Sequence, residues 1–211
     1  MSNRIQTHNE ELVNGISHIL GVLFCLIEMP SLIAKACKQH NLITESSVII
    51  FGVGMLLVYS FSSMYHLVQK EKAKQLLNIA DHISIYYFIA ATYSPLMVIY
   101  LDKKLAFIFL GIMWSIVLLG AFFQIFYSYR FKLVSLVLYL LMGWMIVFVI
   151  KPLWSVIPLS VFLWILAGGL SYTFGVYFYL KSNKNYFHAV WHLFVLFGTV
   201  FHYVAVLQSL Q

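Results

Sequence analysis

His188 and His192 stand four residues apart at the head of an apolar stretch that runs over 186–208. On an α-helix this spacing stacks both imidazoles on one face, about 6 Å apart along the axis, as two ligands of one metal ion would be. Imidazoles next to hydrocarbon are rare and mark function. Other groups invite the same chemistry. His66 lies near the end of an earlier apolar stretch and Asp81 near the start of the next. Ser62 precedes His66 by one helical turn and shares its face. A membrane serine commonly bonds a backbone carbonyl of its own helix; beside a metal ligand the same hydroxyl could donate to a bound water or to Asp81.

The elements that must position these groups are membrane helices. The chain has 211 residues, 62% of them hydrophobic and only 9% charged, against roughly a quarter charged in a soluble domain. Seven apolar stretches can be read, at approximately 15–36, 45–69, 77–101, 105–127, 131–150, 153–180 and 186–208, each near the ~20 residues a helix needs to cross a bilayer. The fold class is therefore all-α, a polytopic seven-helix transmembrane bundle forming one domain over 1–211. The breaks are short and charged. The fifth and sixth stretches are parted only by Lys151-Pro152, with Pro158 beyond. Tyr100, Tyr127, Tyr129 and Trp154 lie near stretch ends, as interfacial aromatics do. The first stretch is too long for a signal-peptide core and carries His18 and Glu28, so it is expected to be retained. Cys25 and Cys37, at opposite levels of one helix, cannot pair, and the sequence holds no CxxC.

A net charge of +6 would suggest nucleic acid in a soluble protein. Here the cations sit in short loops, where they set topology, and no nucleic-acid partner is expected. Arg4, Lys70, Lys72, Lys74, Arg130, Lys132, Lys181 and Lys184 fall on the N-terminal side, eight against the five of Lys35, Lys38, Lys103, Lys104 and Lys151. The excess predicts a cytoplasmic N-terminus and an exported C-terminus. Whichever way the chain is inserted, seven spans bring His66, Asp81, His188 and His192 to the same membrane side at similar shallow depth. Three imidazoles and a carboxylate are what a zinc site uses.

The ordered set Ser62-Ser-Met-Tyr-His66, Asp81-His-Ile-Ser, Thr92-Tyr-Ser-Pro95 and His188-x3-His192, with an N-terminal Glu11-x2-Asn14-x3-His18, resembles the hemolysin III branch of the progestin and adipoQ receptor family. The resemblance covers about residues 10–205, and the wider superfamily includes the alkaline ceramidases. It implies seven membrane helices, a bacterial inner-membrane location and a zinc ion near the cytoplasmic face. It further implies that His66, His188 and His192 bind Zn2+, that Asp81 holds the ion through a water, and that Ser62 supports Asp81. His18 and His202 also match. His202 lies about 15 Å along the helix from His192, too far to share its ion, and either histidine serves equally well as a supporting or a helix-packing residue. His82 points roughly 100° away from Asp81 and stays outside the ligand set. Glu28, near the opposite face, is a candidate proton or substrate contact, with a snorkelling or protonated carboxyl as the plainer alternative.

Three imidazoles with an open fourth position are the catalytic form of a zinc site. Its shallow depth suits an amide or ester near a lipid headgroup. The expected function is zinc-dependent hydrolysis of a lipid-like, ceramide-like amide, with Asp81 and Ser62 as catalytic residues and membrane lipid as the partner. A non-enzymatic reading has zinc pin the helix ends of a sensor of lipid or membrane state. A cytolytic pore is a third reading, which the stretches at 105–127 and 131–150 oppose, offering little polar lining beyond Gln124 and Ser135.

Overall fold

The computed structural model describes residues 4, 6–127 and 132–211. Tyr129 and Arg130 of the preceding reading lie outside the described residues. Among those described, seven helical segments are long and apolar enough to cross a membrane, making the protein an all-α, multi-pass membrane protein. They are α1 (His8–Cys37), α2 (Leu42–Leu67), α3 (Glu71–Tyr100), α4 (Lys103–Tyr127), the segment containing α5 (Lys132–Gly143) and the short α6 (Ile150–Trp154), α7 (Leu159–Leu180) and α8 (Phe187–Ser209).

Two helices begin well before their apolar runs. α1 starts at His8 rather than near 15, because Thr7 caps it. The Thr7 hydroxyl accepts from the Glu10 backbone N–H at 3.3 Å, and the Glu10 carboxylate accepts from the Thr7 N–H at 2.9 Å. This reciprocal box stabilises a helix start by about 1 kcal/mol. α3 starts at Glu71 rather than near 77; the charged run Lys70 to Lys74 is its first, partly solvated turn, with Glu71 placed to favour the helix dipole. Both extensions matter, since they carry Glu10, Glu11 and Lys74 towards the candidate site.

The fifth span breaks inside the apolar run, not at Lys151-Pro152. α5 ends at Gly143, a 3-10 turn occupies Met145–Val149, and Lys151 and Pro152 sit in the first turn of α6, where proline's missing N–H has no helical partner to lose. The chain reverses at 155–158, and Pro158 caps α7. Backbone groups freed by the break must be satisfied within the protein. The Tyr93 hydroxyl donates to the Gly143 carbonyl at 2.6 Å and accepts from the Ile146 N–H at 3.2 Å, while the Trp144 indole donates to Thr173 on α7 at 3.1 Å.

α1 packs against α2 and α8, α2 against α3, α3 also against α4, α5 and α8, and α7 against α8. The interior holds Phe51, Tyr59, Tyr86 and Met97, whereas Ile27, Leu118 and Phe148 face outward as lipid-facing residues do. Lipid supplies no hydrophobic drive between helices, so packing and buried polar bonds hold them together. Buried Thr199 on α8 is one such node: it accepts from the Tyr59 hydroxyl of α2 at 2.7 Å and lies 3.0 Å from the Tyr172 hydroxyl of α7. Gly168 on α7 leaves room for His202; a Cβ there would fall 2.5 Å from its Nε2. Cys25 and Cys37 are both free.

Candidate metal centre

The antiparallel succession of helices brings the start of α1, the end of α2 and the starts of α3 and α8 to one end of the bundle. There, ligand-capable nitrogens of His66, His188 and His192 lie within 4.8 Å of one another. Their ring centroids are 5.2 Å (His66–His188), 5.1 Å (His66–His192) and 4.6 Å (His188–His192) apart. His66 and His192 are 3% and 2% exposed, so solvent competes little for their nitrogens. His188 is half-buried.

The hydrogen bonds at Nδ1 determine which nitrogen faces inward. His66 Nδ1 lies 2.6 Å from Glu11 Oε2, whose carboxylate accepts, so this nitrogen carries the proton. His192 Nδ1 lies 3.2 Å from the Asn14 carbonyl, which can only accept, and 3.0 Å from Ser17 Oγ. The Ser17 hydroxyl spends its own proton on the Asn14 carbonyl at 2.7 Å. Both imidazoles thus donate from Nδ1 and keep a lone pair on Nε2, the form in which neutral histidine binds a metal. His66 Nε2 is buried and has no hydrogen-bond partner among the described residues. A buried lone pair left this way is costly, and a cation held between the three rings would satisfy it. The donor set therefore fits a borderline-soft divalent ion such as zinc.

Asp81 is not in the group of mutually close ligand atoms. Its carboxylate faces the side chain of Ser62, which lies one helical turn from His66 on α2. The Tyr179 ring of α7 lies 6.0 Å from that of His188. His82 donates from Nδ1 to the Asn78 carbonyl of its own helix at 2.8 Å.

Of the two supporting histidines, His18 is 4% exposed, and its ring lies 3.7 Å from that of His192 at a 35° tilt, with neither nitrogen hydrogen-bonded among the described residues. His202 packs against Gly168 and stacks on Tyr172 with centroids 5.7 Å apart, further along the bundle. Glu28 accepts a hydrogen bond from the Tyr203 hydroxyl at 2.8 Å.

Sequence reasoning assigned no role to Glu11, Ser17 or Tyr179. Glu11, Asn14 and Ser17 recur every three residues, which places them on adjoining turns of one helix side. That spacing was visible, but the polar run before residue 15 did not declare itself helical. Glu10, 3% exposed, joins the same end together: it takes two bonds from Arg4, at 3.1 and 2.7 Å, and one from the Tyr186 backbone N–H at 3.1 Å.

The chain matches the family described as Haemolysin-III related over residues 6–203. It is 36% identical to Hemolysin-3 of Bacillus cereus over 207 residues, which is 98% of this chain and 94% of that protein. It is 38% identical to the Hemolysin-3 homolog of Bacillus subtilis (strain 168) over 201 residues, 95% and 94% of the two chains. A more distant likeness, 29% identity over 167 residues (76% of this chain, 69% of the relative), links it to the human monocyte to macrophage differentiation factor. No solved structure matches it significantly.

Proposed function

The chain belongs to the haemolysin-III-related family, and from that premise we propose that it is a zinc-dependent hydrolase of a lipid-like amide, ceramide-like in having its scissile bond near the headgroup. The observation that carries the reading is the convergence of His66, His188 and His192, with Nδ1 of His66 and His192 already engaged. His66, His188 and His192 would hold the ion. When bound, zinc supplies Lewis-acid activation of a water and of the carbonyl it attacks.

The remaining steps belong to the chain. Asp81 accepts a proton at its carboxylate as water oxygen adds to the amide carbonyl carbon, and returns it to the nitrogen as the C–N bond breaks, releasing the amine and a carboxylic acid that then loses its proton to water. Ser62 would supply its one hydroxyl proton either to Asp81, orienting it, or to the developing oxyanion. The shallow depth of the group lets an amide at the headgroup boundary approach while the acyl chain stays in hydrocarbon. We place the site at the cytoplasmic side of the plasma membrane, with the N-terminus inside, on the loop-charge asymmetry.

The test is turnover of an N-acyl sphingoid amide by purified protein. Asp81→Asn keeps the side chain's shape but removes its proton acceptor, and is expected to retain zinc while losing about 10²–10⁴-fold in rate; His188→Ala should lose both. Equal turnover by wild type and variants sinks the proposal.

One observation favours a second reading: the same contacts tie α1, α2, α3 and α8 together, through Glu11 to His66 and Lys74 and through Asn14 and Ser17 to His192. An ion there would pin four helix ends, as a zinc-stabilised sensor of lipid state requires. Biological function that survives Asp81→Asn with zinc still bound would select it. A pore fits less well, because the buried face of α4 is apolar up to Gln124.

A further inference from the structure

We infer that Glu11 is the positioning residue of the metal centre: it holds His66 in its metal-binding form and supplies a negative charge against the ion. This rests on the zinc reading above and extends it to a residue that reading does not use.

Three observations carry it. The contact between Glu11 Oε2 and His66 Nδ1 is short, 2.6 Å, and His66 is 3% exposed, so water is a poor alternative acceptor for that proton. The other carboxylate oxygen, Oε1, is held by Lys74 Nζ at 2.8 Å. The carboxylate is therefore fixed from both sides: α1 carries it, α2 receives it and α3 orients it. Finally, α1 treats His192 in the same way, through Ser17 and the Asn14 carbonyl. One side of one helix sets the inward nitrogen of two of the three rings.

The chemistry follows from the charge. A carboxylate accepting from Nδ1 locks the tautomer and makes Nε2 a stronger donor to a cation, and removing such a partner typically costs 10–100-fold in metal affinity. Three neutral imidazoles leave both charges of a divalent ion uncompensated in a low-dielectric setting, where unpaired charge is costly. Glu11 supplies one negative charge at the outer nitrogen of His66. A merely structural role predicts something else: Glu11 would act as a tie between α1 and α3 through Lys74, and the His66 contact would be incidental.

The experiment measures zinc affinity of the purified full-length protein by competition with a fluorescent zinc chelator, together with the melting temperature of the metal-free protein and the visible spectrum of the cobalt(II)-loaded form. Glu11→Gln is expected to weaken zinc binding about 10–100-fold, leave metal-free melting near wild type and shift the cobalt bands. Lys74→Met, which leaves the His66 contact in place, should weaken zinc by less than about fivefold, the scale of a partly exposed ion pair. Unchanged zinc affinity in Glu11→Gln overturns the inference, as does an equal loss in Lys74→Met, which would mark a helix tie. If Glu11→Gln is not recovered folded, Glu11→Asp decides: weaker zinc binding with altered cobalt bands supports the role, and wild-type affinity overturns it. A wild-type protein that takes up no zinc overturns the zinc reading as well, whereas zinc-replete wild type with an indifferent Glu11→Gln overturns this inference alone.

Discussion

Replacing Thr199 by valine preserves side-chain volume and removes one hydroxyl. In water-exposed packing logic this should be nearly harmless. The structure predicts otherwise, because that hydroxyl, 0% exposed, joins α8 to both α2 and α7 through Tyr59 at 2.7 Å and Tyr172 at 3.0 Å. Valine leaves both phenols without this partner; Tyr59 keeps only a long 3.5 Å contact to the Val195 carbonyl. Interhelical hydrogen bonds in membranes average about 0.6 kcal/mol and reach about 1.7 kcal/mol. Two of them place the loss between about 1 and 3 kcal/mol. Thr199→Ser keeps the hydroxyl and deletes a methyl, a packing loss of about 1 kcal/mol or less. The predicted order of stability is wild type, then serine, then valine, even though serine creates the void. Reversible unfolding in mixed detergent–SDS micelles measures the three. Valine at wild-type stability, or serine less stable than valine, would refute the claim that polar bonds rather than side-chain volume join these helices.

Two further consequences concern the elements around the site. Gly168→Ala should push His202 away from α7 and destabilise the protein by about 1–3 kcal/mol, the usual range for overpacking, read by the same unfolding assay. Glu10→Ala should release the Tyr186 N–H and the Arg4 side chain that its carboxylate holds; hydrogen–deuterium exchange is expected to quicken around residue 186 and along the first turn of α1, while the centre of α8 stays protected. Unchanged exchange at those sites would mean that Glu10 does not fasten the start of α8.

The seven spans were legible because hydrocarbon demands long apolar runs and tolerates few charges, so hydropathy alone locates α2, α4 and α8 closely. The convergence of His66, His188 and His192 was legible for a topological reason: alternate span ends share a membrane side, and i, i+4 spacing fixes a common face. What hydropathy could not show is structure that begins in polar sequence. Thr7 and Glu10 extend α1 by local hydrogen bonding, and that extension delivers Glu11 to His66. The break after Gly143 was hidden for the opposite reason. Nothing in the apolar sequence there signals a stop, and the break is held by Tyr93 and Thr173, which come from other helices.

The central claim is that side chains from α2 and α8 meet around one zinc ion. Elemental analysis of protein purified without added metal, wild type beside His192→Ala, addresses it directly. The account predicts about one zinc per chain in the wild type and its loss in the variant, with both proteins folded by circular dichroism; wild type without stoichiometric zinc, or a variant that retains it in full, would contradict the account.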